Sequence, residues 1–211
     1  MGAVDDKTPN AYEEAWDIID TDGTATSGSP TVINGSGGGN NMFIYTSPSV
    51  GGATITAAYR QAPAVAAESM TDFAIAISPE AVDGLTLGAA MSNNEIATSV
   101  DSDENTMYAT YATGGFTLGV QSSDLDHTTA NSDQESFAFG ITYAVNDDLS
   151  IGYSYHELDF ESSSLLDQES TGISASYTMG GMTLAGATNE VDNMNGSNTA
   201  ANDVEGYEFT L

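Results

Sequence analysis

One four-residue cadence recurs five times in this chain, each time after a tight turn and at almost constant spacing. It reads apolar, Thr or Ser, apolar, small (the first copy has Thr last). The copies are Ala53-Thr54-Ile55-Thr56, Leu85-Thr86-Leu87-Gly88, Phe116-Thr117-Leu118-Gly119, Leu149-Ser150-Ile151-Gly152 and Met182-Thr183-Leu184-Ala185. Their first residues lie 32, 31, 33 and 33 positions apart. Alternation with period two is the mark of a strand, and a repeat of about thirty residues holds two strands with their connections. Hairpins in series build an up-and-down antiparallel sheet, and an apolar face opposite a small, polar one makes that sheet a membrane barrel.

The alternation predicts strands at 42–48, 52–61, 71–78, 85–92, 105–112, 116–123, 135–145, 149–157, 170–179, 182–189 and 204–211. Connections alternate between tight turns carrying Gly-Gly, Asp83-Gly84 or Asn146-Asp147-Asp148 and longer polar loops, the asymmetry of a membrane barrel. Phe116, Leu118 and Val120 oppose Thr117, Gly119 and Gln121; Phe137, Phe139, Ile141 and Tyr143 oppose Ala138, Gly140, Thr142 and Ala144. Neither a second sheet nor a helix is available to cover the apolar set, so lipid is its expected solvent. Tyr59, Tyr111, Tyr143, Tyr153, Tyr155, Tyr177 and Tyr207 fall on that face, as an interfacial aromatic girdle would.

The acidic balance is extreme: 31 Asp and Glu against 2 Lys and Arg. Nucleic-acid binding needs clustered basic residues and is excluded as a function class. Contact with cations is favoured instead. The chain has no Cys, which removes disulfides, thiol catalysis and Cys-ligated zinc. His127 and His156 stand apart, without a second ligand at zinc spacing. No Gly-x-Ser-x-Gly elbow and no phosphate-loop Lys follow the glycine runs, so the reading is not an enzyme. No apolar run approaches a membrane helix, which a barrel would not show. The first residues lack the basic and apolar regions of a signal peptide, and a fragment is expected on that ground.

Residues 1–41 differ from the strand-bearing 42–211. Asp5, Asp6, Glu13, Glu14, Asp17, Asp20 and Asp22 face one base, Lys7, and a Gly/Ser/Thr-rich stretch follows Gly23. Pro9 and the shared face of Tyr12, Trp16 and Ile19 predict a short helix over 10–19. A strand-free segment of this length exceeds an ordinary hairpin connection and is either functional or a disordered tail.

Gly2-Ala3-Val4-Asp5-Asp6, Pro9-Asn10-Ala11-Tyr12-Glu13-Glu14, Gly140-Ile141-Thr142-Tyr143-Ala144, Leu149-Ser150-Ile151-Gly152-Tyr153 and Glu205-Gly206-Tyr207-Glu208-Phe209-Thr210-Leu211 together resemble general diffusion porins of the alphaproteobacterial, sixteen-stranded kind. The resemblance implies a homotrimer in outer-membrane lipid that passes small hydrophilic solutes and ions. It also implies a loop after the fifth strand that folds inward and narrows the pore. Eleven strands after an acidic segment then make a C-terminal two-thirds piece, truncated at both ends, with 1–41 as the constriction loop. The chain departs from the pattern in ending at Leu211 without a terminal aromatic.

On that reading Asp5, Asp6, Glu13, Glu14, Asp17, Asp20 and Asp22 line the constriction and favour cations. Arg60, in phase with Thr54, Thr56 and Ala58, belongs to the lumen face, where the resemblance places a basic wall opposite the acids. No cofactor is needed. Asp101, Asp103 and Glu104 offer oxygen ligands for a weak loop calcium, without the Gly and distal Glu of an EF-hand. Rival readings are a translocator or adhesin barrel, and a secreted or surface acidic β-protein binding calcium or polysaccharide.

Overall fold

The computed structural model describes residues 42–61, 68–96, 101–199 and 203–211. The acidic segment, its predicted helix and the division at residue 41 lie outside them. The described chain is all-β: β1 (Met42–Thr46), β2 (Ala53–Arg60), β3 (Glu68–Ile77), β4 (Leu85–Ile96), β5 (Ser102–Thr113), β6 (Phe116–His127), β7 (Gln134–Ala144), β8 (Leu149–Phe160), β9 (Gln168–Met179), β10 (Met182–Asp192) and β11 (Val204–Thr210). A single 3₁₀ turn, Met194–Gly196, precedes β11. The strands form one antiparallel sheet in strict chain order, with β1 and β11 as its edges.

The tight turns follow from their residues. Gly114 and Gly115 have φ of 56° and 87°, and Gly180 and Gly181 have 58° and 88°. A two-residue hairpin of the I′ kind needs left-handed backbone at both positions, which glycine adopts without penalty. The Asn146 turn works differently: its Oδ1 accepts from the backbone N–H of Asp148 at 2.9 Å and of Leu149 at 3.0 Å. Gly84 combines φ of 78° with a second constraint, since a Cβ there would collide with the carbonyl oxygen of Ala112. Gly84→Ala is therefore expected to cost more than the roughly 1–2 kcal/mol of left-handed backbone alone. Gly114→Ala, with open space around the added methyl, should cost only that. Urea midpoints of the two variants in detergent micelles check the difference.

Turn-side strand ends fall where the alternation puts them, but most loop-side ends run further. β4 continues to Ile96, β6 to His127 and β8 to Phe160. Asp103, Glu104, Asp124, Asp126, Asp159 and Asp192, read from sequence as loop acids, are strand residues. The cause is physical: backbone pairing continues past the apolar belt, but there the outer face carries acids while Met70, Leu158 and Val191 are buried on the inner one, so the apolar-out alternation that marks the belt stops.

The sheet also answers which face is inside. Thr56, Ala58, Ala74, Ala90, Thr106, Ser123, Ser136, Ala138, Ser154 and Ser174 are buried, whereas Phe73, Leu87, Met91, Phe116, Phe137, Ile151, Ile173 and Leu184 are exposed. A flat sheet would expose both faces alike. Here the small-residue face lies within the curve, and the large apolar side chains point out. A water-soluble barrel has the opposite arrangement. The exposed apolar face therefore does not suit a secreted soluble protein.

Candidate pore wall and charged rim

Register places the inner face residue by residue. Thr56 pairs with Ala74, Ala74 with Ala90, Ala90 with Thr106, Thr106 with Ser123 and Ser123 with Ser136. Several hydroxyls pair across the strands, Thr106 with Ser123 at 2.8 Å, Ser150 with Ser176 at 2.8 Å and Thr178 with Thr183 at 2.9 Å, whereas the buried Oγ atoms of Ser154, Ser170 and Ser174 have no partner among the described residues. Small side chains keep the inner wall thin, and paired hydroxyls keep it polar without charge. Such a surface can be wetted by water.

Buried carboxylates interrupt this wall at Asp72 and Glu104. Ala58, Asp72, Ser92 and Glu104 form one cross-strand row over β2–β5. Asp72 and Glu104 are both buried, and Ser92 Oγ donates to Asp72 Oδ1 at 2.7 Å. Arg60 stands two residues beyond Ala58 on the same face, at the end of β2. The inner-face placement of Arg60 agrees with its sequence phase. Its neighbourhood does not resemble a purely basic wall, because Asp72 and Glu104 share that stretch of the sheet. Strand parity was the signal for both acids: Asp72 is in phase with Ala74, and Glu104 with Thr106.

The calcium candidates do not converge. Asp101 precedes β5, Asp103 points outward and accepts from the Asn93 side-chain amide, and Glu104 is inside. Successive strand residues take opposite faces, so Asp103 and Glu104 cannot share one ion. Among the described residues no three Asp, Glu, His or Cys side chains are placed to hold a metal. His156 is buried on the inner face, while its sequence neighbour Glu157 faces out and accepts a 2.9 Å hydrogen bond from Tyr155 Oη.

The outer face has two zones. Near the turns it is aromatic and aliphatic: Phe116 stacks on Tyr143 with ring centroids 4.2 Å apart, and all seven girdle tyrosines have outward register. Across β9 and β10 Ala175 and Gly186 lower this surface into an apolar groove of about 850 Å³ walled by Ile151, Tyr153, Tyr207 and Phe209. Above the belt the outer residues are acids in direct opposition. Asp103 faces Asp126; Asp124 faces Glu135, which faces Asp159; Glu157 faces Glu169; Glu190 faces Glu205. Like charges directly opposed destabilise a sheet by up to about 1 kcal/mol a pair. Glu135→Gln, which relieves two such contacts, is expected to raise the melting temperature in detergent at low salt. The gain should shrink as salt shortens the screening length.

The comparisons with known proteins follow this geometry. The sequence model of the Gram-negative porin family matches residues 1–197. No curated protein gives a significant match over this chain. Among solved structures, a loop L8 deletion mutant of OmpT, an outer membrane protein of Vibrio cholerae, is similar at 14% identity with a TM-score of 0.60, over 80% of this chain and 60% of that one. In-vitro folded OmpT of the same organism is similar at 14% identity and a TM-score of 0.56, over 80% of this chain and 64% of that one. A refined porin structure is similar at 14% identity and a TM-score of 0.56, over 80% and 60%. The chain thus spans 60 to 64% of the length of these neighbours, which at this identity speak for the fold alone.

Proposed function

Starting from the premise that this chain belongs to the Gram-negative porin family, whose members reside in the bacterial outer membrane, we propose that it forms the wall of a passive, cation-preferring diffusion pore for small hydrophilic solutes. The observation that carries the proposal is the inverted sheet: small and hydroxyl-bearing residues buried inside, large apolar side chains exposed outside. That arrangement is stable only with lipid around the sheet and water within it. Diffusion through such a wall requires neither a cofactor nor a catalytic group.

Among the described residues the outer sides of β1 and β11 have no partner strand, and lipid does not tolerate unpaired backbone groups. Up-and-down membrane barrels of the bacterial outer membrane close with an even number of strands. Eleven strands in chain order therefore fit a larger closed barrel, and the sixteen-stranded kind completes the count with five more. The homotrimeric state follows from the same resemblance. Residues 1–41 are assigned to the constriction, with Asp5, Asp6, Glu13, Glu14, Asp17, Asp20 and Asp22 as its cation-attracting groups. Support for this is their density of charge and their position immediately before β1. Arg60 is assigned to the pore wall, in the same stretch of sheet as Asp72 and Glu104.

Planar-bilayer recording of the full-length protein tests the reading. Discrete conductance steps, with a reversal potential in a KCl gradient on the potassium side, are expected. A protein that inserts without steps would instead support a barrel with a translocation or adhesion role.

A further inference from the structure

Tyr108 is the exception on the inner wall. Among the described residues, Tyr108 and Phe160 are the two Tyr, Phe or Trp side chains at inner register positions, and Phe160 sits at the rim end of β8. Tyr108 lies mid-strand in β5, level with the apolar belt outside. Its direct partners are Gly88 on β4 and Gln121 on β6, and beyond Gly88 comes Ala76. A Cβ built on Gly88 would fall against Cε1, Cζ and Oη of the Tyr108 ring. The ring therefore rests along the wall in the space that glycine leaves, and it remains only partly buried. Gly88 is not in left-handed backbone, so the turn argument for glycine does not apply to it. What it provides is room.

We infer that Tyr108 is a selectivity residue of the pore wall, a ring surface held back from the lumen by Gly88 that favours passage of solutes carrying a flat aromatic ring. The inference rests on the diffusion reading above. Its physics is simple. Apart from Gln121, the wall around Tyr108 is Ala76, Gly88, Ala90, Thr106, Thr110 and Gly119, which offers no broad surface, and one tyrosine adds an aromatic face on which a ring can pack. The same geometry makes the Gly88 position a lever on pore width: a methyl there must displace the ring, and the open direction is inward.

Two measurements on the full-length protein test this. In liposome swelling, the rate for free L-phenylalanine relative to free L-methionine is expected to fall about 2- to 10-fold in Tyr108→Ala, the range an aromatic pair contact supplies, and to be retained in Tyr108→Phe. In planar bilayers, Gly88→Ala should lower single-channel conductance, Tyr108→Ala should raise it, and the double variant should lose the Gly88→Ala deficit. A residue that merely braced the sheet would shift thermal stability and leave both readouts alone. Conducting wild-type channels with unchanged solute ratio and conductance in these variants would overturn the role of Tyr108. Absence of conductance from the wild type would overturn the diffusion reading, and this inference with it.

Discussion

Ile173→Arg is expected to destabilise the protein by about 2–4 kcal/mol in lipid, the cost of a basic side chain on the outer face of a barrel near the bilayer midplane. Ile173 is 60% exposed and points outward between Tyr153 and Thr188. In water, a surface change of this kind falls within about 0.5 kcal/mol. The predicted loss therefore comes from the solvent, not from packing. A second position on the same face sharpens the test. Thr171 lies one outward step toward the rim, opposite Tyr155 and Glu190. Arg at 171 should cost less, because the penalty falls with distance from the midplane and Glu190 lies beside it as an acceptor. Urea unfolding in lipid vesicles of the two variants reads the depth profile directly. An effect at Ile173 no larger than about 0.5 kcal/mol would remove the apolar belt from the membrane.

The contrast between those positions also shows what was legible in the sequence. The belt was fully legible. Ile173 and Tyr177 are in phase, and the period-two pattern needs only side-chain polarity to be seen. The turns were legible for the same local reason, through Gly114-Gly115, Gly180-Gly181 and Asn146. The rim was not. Asp124 and Asp159 sit in continuous strands, yet there the polarity inverts, with acids facing out and Leu125, Leu158 and Phe160 facing in, so the apolar-out pattern that marks the belt is lost. Face assignment above the belt depends on counting residues from the belt. Counting puts Glu104 inside with Thr106 and Asp103 outside, which dissolves the calcium cluster that adjacency in sequence had implied. The stacking of Asp124, Glu135 and Asp159 into one line was invisible for a further reason. It depends on register between strands, which turn length sets and no single strand records. The Tyr108–Gly88 contact belongs to this second class: each residue is unremarkable in its own strand, and only pairing brings them together.

Replacing Asp5, Asp6, Glu13, Glu14, Asp17, Asp20 and Asp22 together by Asn and Gln is expected to abolish most of the cation preference. The potassium-to-chloride permeability ratio should drop roughly 10-fold, the low end of the range by which a focused charged cleft concentrates counter-ions. The size of this effect separates two explanations. These are seven of 31 acids. If selectivity tracked total charge, removing fewer than a quarter of them would change it little. If it is set at the constriction, these seven dominate, because at physiological salt a charge more than about 8 Å from the permeating ion is largely screened. The rim acids are exposed and face outward, away from the wetted lumen that an ion follows. The wall pair supplies the internal comparison. Asp72→Asn with Glu104→Gln removes two buried inner carboxylates beside Arg60, and the remaining arginine should then weaken cation preference modestly. Arg60→Gln alone should strengthen it. A ratio unmoved by the sevenfold replacement but lowered by the wall pair would transfer selectivity from the acidic segment to the β2–β5 row. The pore would then be selective through its wall, with residues 1–41 free of that task.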